Sequence, residues 1–206
     1  MTEPVEVSWE RISTWLRMNA PRTRASVAAP SSEVDDQLTR FPLPLPHSLA
    51  IWWRLTGGAG HSDLLPPFYA PLSAEEALAA YEGLRTDPVL DEEEEAGSRS
   101  GVFLPEFLPI AAAGTGDFLF VDLRTGDARG CVRDWARDDG SLGVTRWQGV
   151  AEMLADVADA LVHDRPALRW HAEQAAARFF TAATYEPAVE DGTLRWVASE
   201  TFRYGS

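Results

Sequence analysis

The chain has 206 residues, is 45% apolar with eight tryptophans, and carries a formal net charge of −14. That length suits one domain with a sizeable core, and the apolar and aromatic content excludes a disordered chain. All 18 basic residues are arginine, and a strong acidic excess has the wrong sign for direct nucleic-acid binding while it suits a basic protein partner.

The N-terminus, MTEPVEVSWERISTW, has no basic segment followed by an apolar run, so it does not read as a secretory signal. The apolar runs are far shorter than a membrane span. A cytoplasmic protein without a membrane partner is expected. Ser8 reads as the cap of a first helix with Trp9, Ile12, Trp15 and Leu16 on one face, ended by Asn19 and Pro21. Residues 21 to 31 read as a loop. Ser32 opens a second short helix with Asp35 at its capping-box position and Val34, Leu38 and Phe41 as the apolar side.

The run FPLPLPHSLAIWWRLTGG, residues 41 to 58, then combines a proline-rich lead, one helix and a glycine stop. Pro46 can open the helix because the N–H it lacks has no partner in a first turn. Leu49, Trp52, Trp53 and Thr56 recur at i, i+3, i+4 and i+7. Of the adjacent indoles, Trp52 is taken as core and Trp53 as partly exposed or covered by a neighbouring element. Gly57 and Gly58 supply the left-handed stop. Residues 60 to 72 suit short extended pieces broken by prolines. Ser73 and Glu76 form a capping box for a helix with Ala77, Leu78 and Tyr81 facing inward. Residues 86 to 101 read as a polar loop whose acidic run, Asp91 to Glu95, is solvated by self-repulsion.

The next part is β-rich. Phe107 to Ala111 is a strand. Residues 117 to 123 form a central strand with Phe118 and Phe120 on one face and Leu119, Val121 and Leu123 on the other. Residues 128 to 135 make a third strand, and Asp139-Gly140 turns the chain into LGVTRW. Short turns imply an antiparallel meander. A helix over 148 to 163 follows, its stripe formed by Val150, Met153, Leu154, Val157, Ala158, Leu161 and Val162. Pro166 starts another helix, and the tail reads as a hairpin turning at Asp191-Gly192. The predicted class is α+β: an antiparallel meander of about four to six strands with helices packed on it.

Two stretches carry a family resemblance. LPLPHSLAIWWRLTGG, residues 43 to 58, and FLPIAAAGTGDFLFVDLRTGDARGCVRDW, residues 107 to 135, resemble the proline-led tryptophan helix and the strand core of the SUKH superfamily. That family joins SMI/KNR-type yeast cell-wall assembly regulators to bacterial immunity proteins. The helix over 148 to 163 completes the likeness, which spans residues 9 to 163. The resemblance divides the chain into a SUKH-like domain with N-terminal helices, 1–163, and a helix-and-hairpin extension, 164–206, packed on it. It implies a non-enzymatic binding domain, of immunity type, that neutralises a toxin such as a nuclease by binding it. An intracellular regulatory or scaffold protein of the same fold is the alternative.

Candidate chemistry is sparse. His47, His61, His163 and His171 show neither i, i+4 pairing on one helix nor an HExxH pattern, so no histidine metal site is expected. Asp134, Asp138 and Asp139 lack the spaced ligands and central glycine of a calcium loop. Cys131, the single cysteine, lies in a strand and reads as a small apolar residue rather than a nucleophile. Gly114-Thr115-Gly116 precedes a strand and has no P-loop lysine, so it reads as a turn. Asp122 closes the central strand and is assigned a structural role, bonding the turn over residues 125 to 127. No catalytic residue, metal or cofactor is predicted. An enzyme built on clustered carboxylates would need a concave pocket holding several perturbed acids. The candidate partner-binding residues are Trp53, Glu92, Glu93, Glu94, Trp135, Asp138 and Asp139, because aromatic and acidic side chains together can anchor a basic partner.

Overall fold

The computed structural model describes residues 2–84, 95–141, 144–177 and 182–202, and its centre is an antiparallel meander. The strands are β1 (Ala70–Pro71), β2 (Phe107–Ala112), β3 (Phe118–Asp122), β4 (Val132–Trp135) and β5 (Thr145–Trp147), paired in that order. The β2–β3 register slips between Pro109 and Ala111, where proline has no N–H to give the ladder. Leu119 and Val121 join the main core with Leu108, Ile110 and Val132. Phe120 and the half-buried Phe118 turn to the opposite face and meet Phe103, Phe107 and Trp135. Both faces of β3 are therefore covered, as its unbroken apolar run requires.

Helices close the main-core face. They are α1 (Val5–Asn19), α2 (Pro21–Ser26), α3 (Val34–Thr39), α4 (His47–Leu55), α5 (Ala74–Leu84), α6 (Val150–His163) and α7 (Arg169–Ala177). α1 packs against α4 and α6, while α5 lies on β2. Several boundaries differ from the sequence reading. α1 starts at Val5, and Ser8 is not its cap: the buried hydroxyl donates to Glu3 at 2.7 Å. Residues 21 to 26 form α2 rather than a loop, because Pro21 occupies the first turn, where proline is tolerated. The second expected helix starts at Val34, preceded by a Glu33 N–H bonded to Ser31 Oγ at 3.1 Å. The box at Ser73 and Glu76 forms as read, with reciprocal bonds of 2.8 and 3.1 Å.

α4 buries Leu49, Trp52 and Trp53 and ends at Leu55, with Thr56 already extended. Gly57 serves a different purpose from a helix stop. Its N–H bonds Ala28 O at 2.9 Å, and a β-carbon there would overlap the Ala29 carbonyl oxygen. α6 buries its predicted stripe except Val162, which is 43% exposed and borders a surface groove with Trp15 and Met18. α7 begins later than Pro166 because Leu168 takes a left-handed backbone (φ 63°) and Ala167 pairs with Tyr185 instead.

The tail forms a hairpin of β6 (Ala182–Glu190) and β7 (Thr193–Phe202). Its turn places Asp191 and Gly192 at φ 49° and 74°, the two left-handed residues that match strand twist. Leu194 and Trp196 enter the main core. The Leu194 N–H bonds Thr23 Oγ1 at 2.8 Å and the Trp196 indole bonds Leu64 O at 3.3 Å. Among the described residues no helix is long and apolar enough to cross a membrane.

Candidate functional site

At one end of the meander a buried carboxylate organises three segments. Asp122 lies on the Phe120 side of β3 and is fully buried. Its Oδ2 accepts from Arg124 Nη2 at 2.8 Å, Arg133 Nη1 at 2.9 Å and the Gly97 N–H at 3.0 Å. Its Oδ1 accepts from Arg124 Nε at 3.0 Å and the Arg124 N–H at 3.2 Å. Burial alone would raise the Asp122 pKa, but the bonds from Arg124, Gly97 and Arg133 outweigh it and hold the group below the usual carboxylate range. The expected bond to the turn over 125 to 127 is replaced by these contacts, since the two arginines offer charged donors. The guanidinium groups also cover aromatic rings, Arg124 over Phe107 at 5.0 Å and Arg133 over Phe120 at 5.5 Å.

This node fixes the segment that follows the acidic run. Ala96 N–H bonds Thr125 O at 2.8 Å, and Arg124 Nη2 bonds Ser98 O at 2.9 Å. Ser100 then pairs with Ser141 in the β4–β5 hairpin. Between these anchors and β2, Phe103 packs edge-on against Phe107 and Trp135, at centroid distances of 5.6 and 5.3 Å. The far face of the sheet is thereby closed. Glu92, Glu93 and Glu94 lie outside the described residues.

The aromatic candidates are not surface anchors. Trp53 is 1% exposed, stacked on Phe41 at 5.2 Å, and its indole donates to Leu72 O at 3.0 Å. Of the two alternatives expected for Trp53, partial exposure or cover by a neighbouring element, the second holds: Phe41 and the segment after β1 cover it, which withdraws its ring from the partner-binding role expected of it. Trp135 is 9% exposed and is held inside the phenylalanine cluster, so its ring is also withdrawn from the surface. Asp138 and Asp139 do project from the β4–β5 hairpin and are exposed. The hairpin is closed by mutual bonds of 3.0 and 2.8 Å between Ala136 and Gly140.

A second polar group lies between β5, α6 and α7. Arg146 Nε and Nη2 meet the two oxygens of Asp134, each at 3.2 Å. Burial would raise Asp134, but Arg146 and the nearby His171 lower it on balance. His171 is 5% exposed, and its Nδ1 bonds Thr145 O at 3.0 Å. That oxygen can only accept, so Nδ1 carries the hydrogen and Nε2 the lone pair. Burial and then Arg146 push the His171 pKa down to about 4, leaving the ring neutral at pH 7. Asp156 Oδ2 accepts from the Trp147 indole at 2.8 Å and the Leu168 N–H at 2.9 Å. Its pKa is nevertheless raised, because desolvation outweighs both bonds.

Sequence reasoning passed over Arg124, Arg133, Arg146 and Asp156. A signal existed for two of them, Asp156 and Arg133. Asp156 occupies the i+3 position from Met153 on the apolar stripe of α6. Arg133 shares the strand face of Trp135, and Asp122, singled out for another bond, shares that of Phe120. A charged residue on an inward face needs a partner, though the partner's identity comes only from the fold. Cys131 precedes β4, is 2% exposed, and has its thiol pKa pushed up to about 11 by burial and then by Asp122. Among the described residues no three His, Cys, Asp or Glu side chains converge as a metal site requires.

The sequence matches the family model described as SMI1 / KNR4 family (SUKH-1) over residues 30–156. That span runs from α3 to the first half of α6 and includes both resemblance stretches. No curated protein matches the chain.

Proposed function

We propose that this chain, which belongs to the SMI1 / KNR4 family (SUKH-1), is a non-enzymatic protein-binding module of immunity type that neutralises a basic toxin by covering it. The observation that carries the reading is the pair Asp138 and Asp139, exposed on a hairpin whose Ser141 is bridged to Ser100 in the segment after the acidic run, in a chain of net charge −14. An acidic projection whose backbone is bonded between Ala136 and Gly140 and between Ser100 and Ser141 meets a basic surface with less chain left to order. The wider negative field raises the rate of encounter with a positively charged partner.

A nuclease suits this reading best. Its substrate groove must be positive to hold phosphates, and an acidic protein seated there displaces nucleic acid without chemistry of its own. The test is co-expression with candidate toxins from the genes beside this one. Protection of the cells and co-purification of the two proteins are expected. Unprotected cells together with no association would defeat the proposal and favour the regulatory reading.

A further inference from the structure

We propose that the cavity between β5, the start of α6 and the start of α7 is a socket for one cationic side chain, lysine or arginine, of a protein partner. This rests on the reading of a basic partner above and names one place where that partner is gripped.

The cavity holds about 150 Å³ and is lined by Arg146, Glu152, Asp156, Leu168, Trp170 and His171 among others. A water molecule's share of liquid volume is about 30 Å³, so the space takes the end of one side chain. Cofactor-sized ligands need roughly 300 Å³ or more.

The unpaired groups in it mostly accept hydrogen bonds. Asp156 uses Oδ2 for its two bonds, and its Oδ1 has no hydrogen-bond partner among the described residues. His171 is 95% buried by the complement of its 5% exposure. Its Nδ1 is committed to Thr145 O, which leaves the Nε2 lone pair without a partner among the described residues. Glu152 accepts from the Thr2 hydroxyl at 2.6 Å through Oε1 and keeps Oε2 available.

Charge decides the sign of the occupant. The Arg146 guanidinium is matched by Asp134 through two bonds, so Glu152 sets a negative balance, with Asp156 beside it as an acceptor. An anion would face both carboxyl groups and the imidazole lone pair. A cation finds three acceptors in place. Trp170, 40% exposed, offers an indole face to the charge, and Leu168 gives an apolar wall to the methylene stem.

The experiment titrates the full chain with butylammonium chloride and butylguanidinium chloride, using butanol and sodium chloride as controls, and follows the indole N–H resonances. Saturable shifts at Trp147 and Trp170 are expected, with dissociation constants on the order of millimolar. Glu152→Gln and Trp170→Leu should each weaken binding several-fold. No saturable shift, an equal response to butanol or salt, or unchanged binding in both variants overturns the socket. A second arm uses a toxin that passes the co-expression test above. Both variants should weaken that complex, and butylammonium should compete with it. A toxin complex indifferent to the variants overturns the assignment to a partner side chain while leaving the proposed function intact. Saturable binding of the small cations with no toxin complex overturns the proposed function instead and marks the cavity as a site for free amines, which also rejects the partner side chain.

Discussion

Arg133 Nη1 lies 2.9 Å from Asp122 Oδ2, and neither side chain is exposed to solvent. Two cations, Arg124 and Arg133, share this single carboxylate, and the Gly97 N–H converges on the same oxygen. The arrangement ties the chain after the acidic run to the β3–β4 turn and so sets how the far face of the sheet is closed.

Removing the shared carboxylate should therefore be costly. Asp122→Ala leaves the buried Arg133 guanidinium without this anion and takes from Arg124 the carboxylate it also bonds, and loss of one partner of a buried pair costs about 3–5 kcal/mol. Urea unfolding should show that loss. Asp122→Leu combined with Arg133→Met should recover part of it, because one stranded charge is removed as well. A cost for Asp122→Ala below about 1 kcal/mol, the range of surface pairs, would contradict the role given to the node.

Stability should fall as the solution is acidified through the range of His171. The folded pKa of about 4 lies below the ordinary 6.5, so between those values the unfolded chain binds more protons. Stability then rises with pH across that window and is fully present above it. The depressed Asp122 acts in the same direction at lower pH, whereas the raised Asp156 opposes it. The His171 contribution is on the order of 1–3 kcal/mol. Melting temperatures from pH 7 to pH 4 should flatten in His171→Gln relative to the parent. Parallel curves would show that His171 does not titrate this way.

Two glycines should respond oppositely to alanine. Gly57→Ala drives a methyl group into the Ala29 carbonyl, and overpacking of this kind costs about 1–3 kcal/mol. Gly83 lies in α5 with no heavy atom within 4 Å of a β-carbon placed there. Gly83→Ala should stabilise by about 0.5–1 kcal/mol through helix propensity. Denaturant midpoints of the two variants should bracket the parent.

Charge at the hairpin tip should govern encounter with a partner rather than folding. Asp138→Asn with Asp139→Asn keeps side chains that suit a turn and changes stability by no more than about 0.5 kcal/mol. Association with a basic partner should slow several-fold at low salt. The difference should shrink as the Debye length falls to about 3 Å at 1 M salt. Stopped-flow association rates check this; rates equal to the parent at every ionic strength would remove the tip from the interface.

Much of the fold was legible because periodicity is local. The alternation of residues 118 to 123 placed Phe120 and Val121 on their correct faces, and the Ser73–Glu76 box needed only a spacing of three. The end of α4 was less legible. Gly57 is demanded by the Ala29 backbone, which is remote in sequence. Trp53 illustrates the same limit: its burial depends on Phe41 and Leu72, and a helical wheel cannot know that a second layer lies over its edge. The polar cluster around Asp156 drew on three separate elements. Its spacing therefore carried no motif, although the charge interrupting an apolar stripe was visible.

The central claim is that this chain inhibits by occupancy. Its most direct test is a titration of a fixed amount of a toxin that co-purifies with the chain, following toxin activity and the toxin's intact mass. The account predicts a linear loss of activity that ends at equimolar protein, with the toxin's mass unchanged. Inhibition completed by a small fraction of an equivalent, with a cleaved or modified toxin, would contradict it.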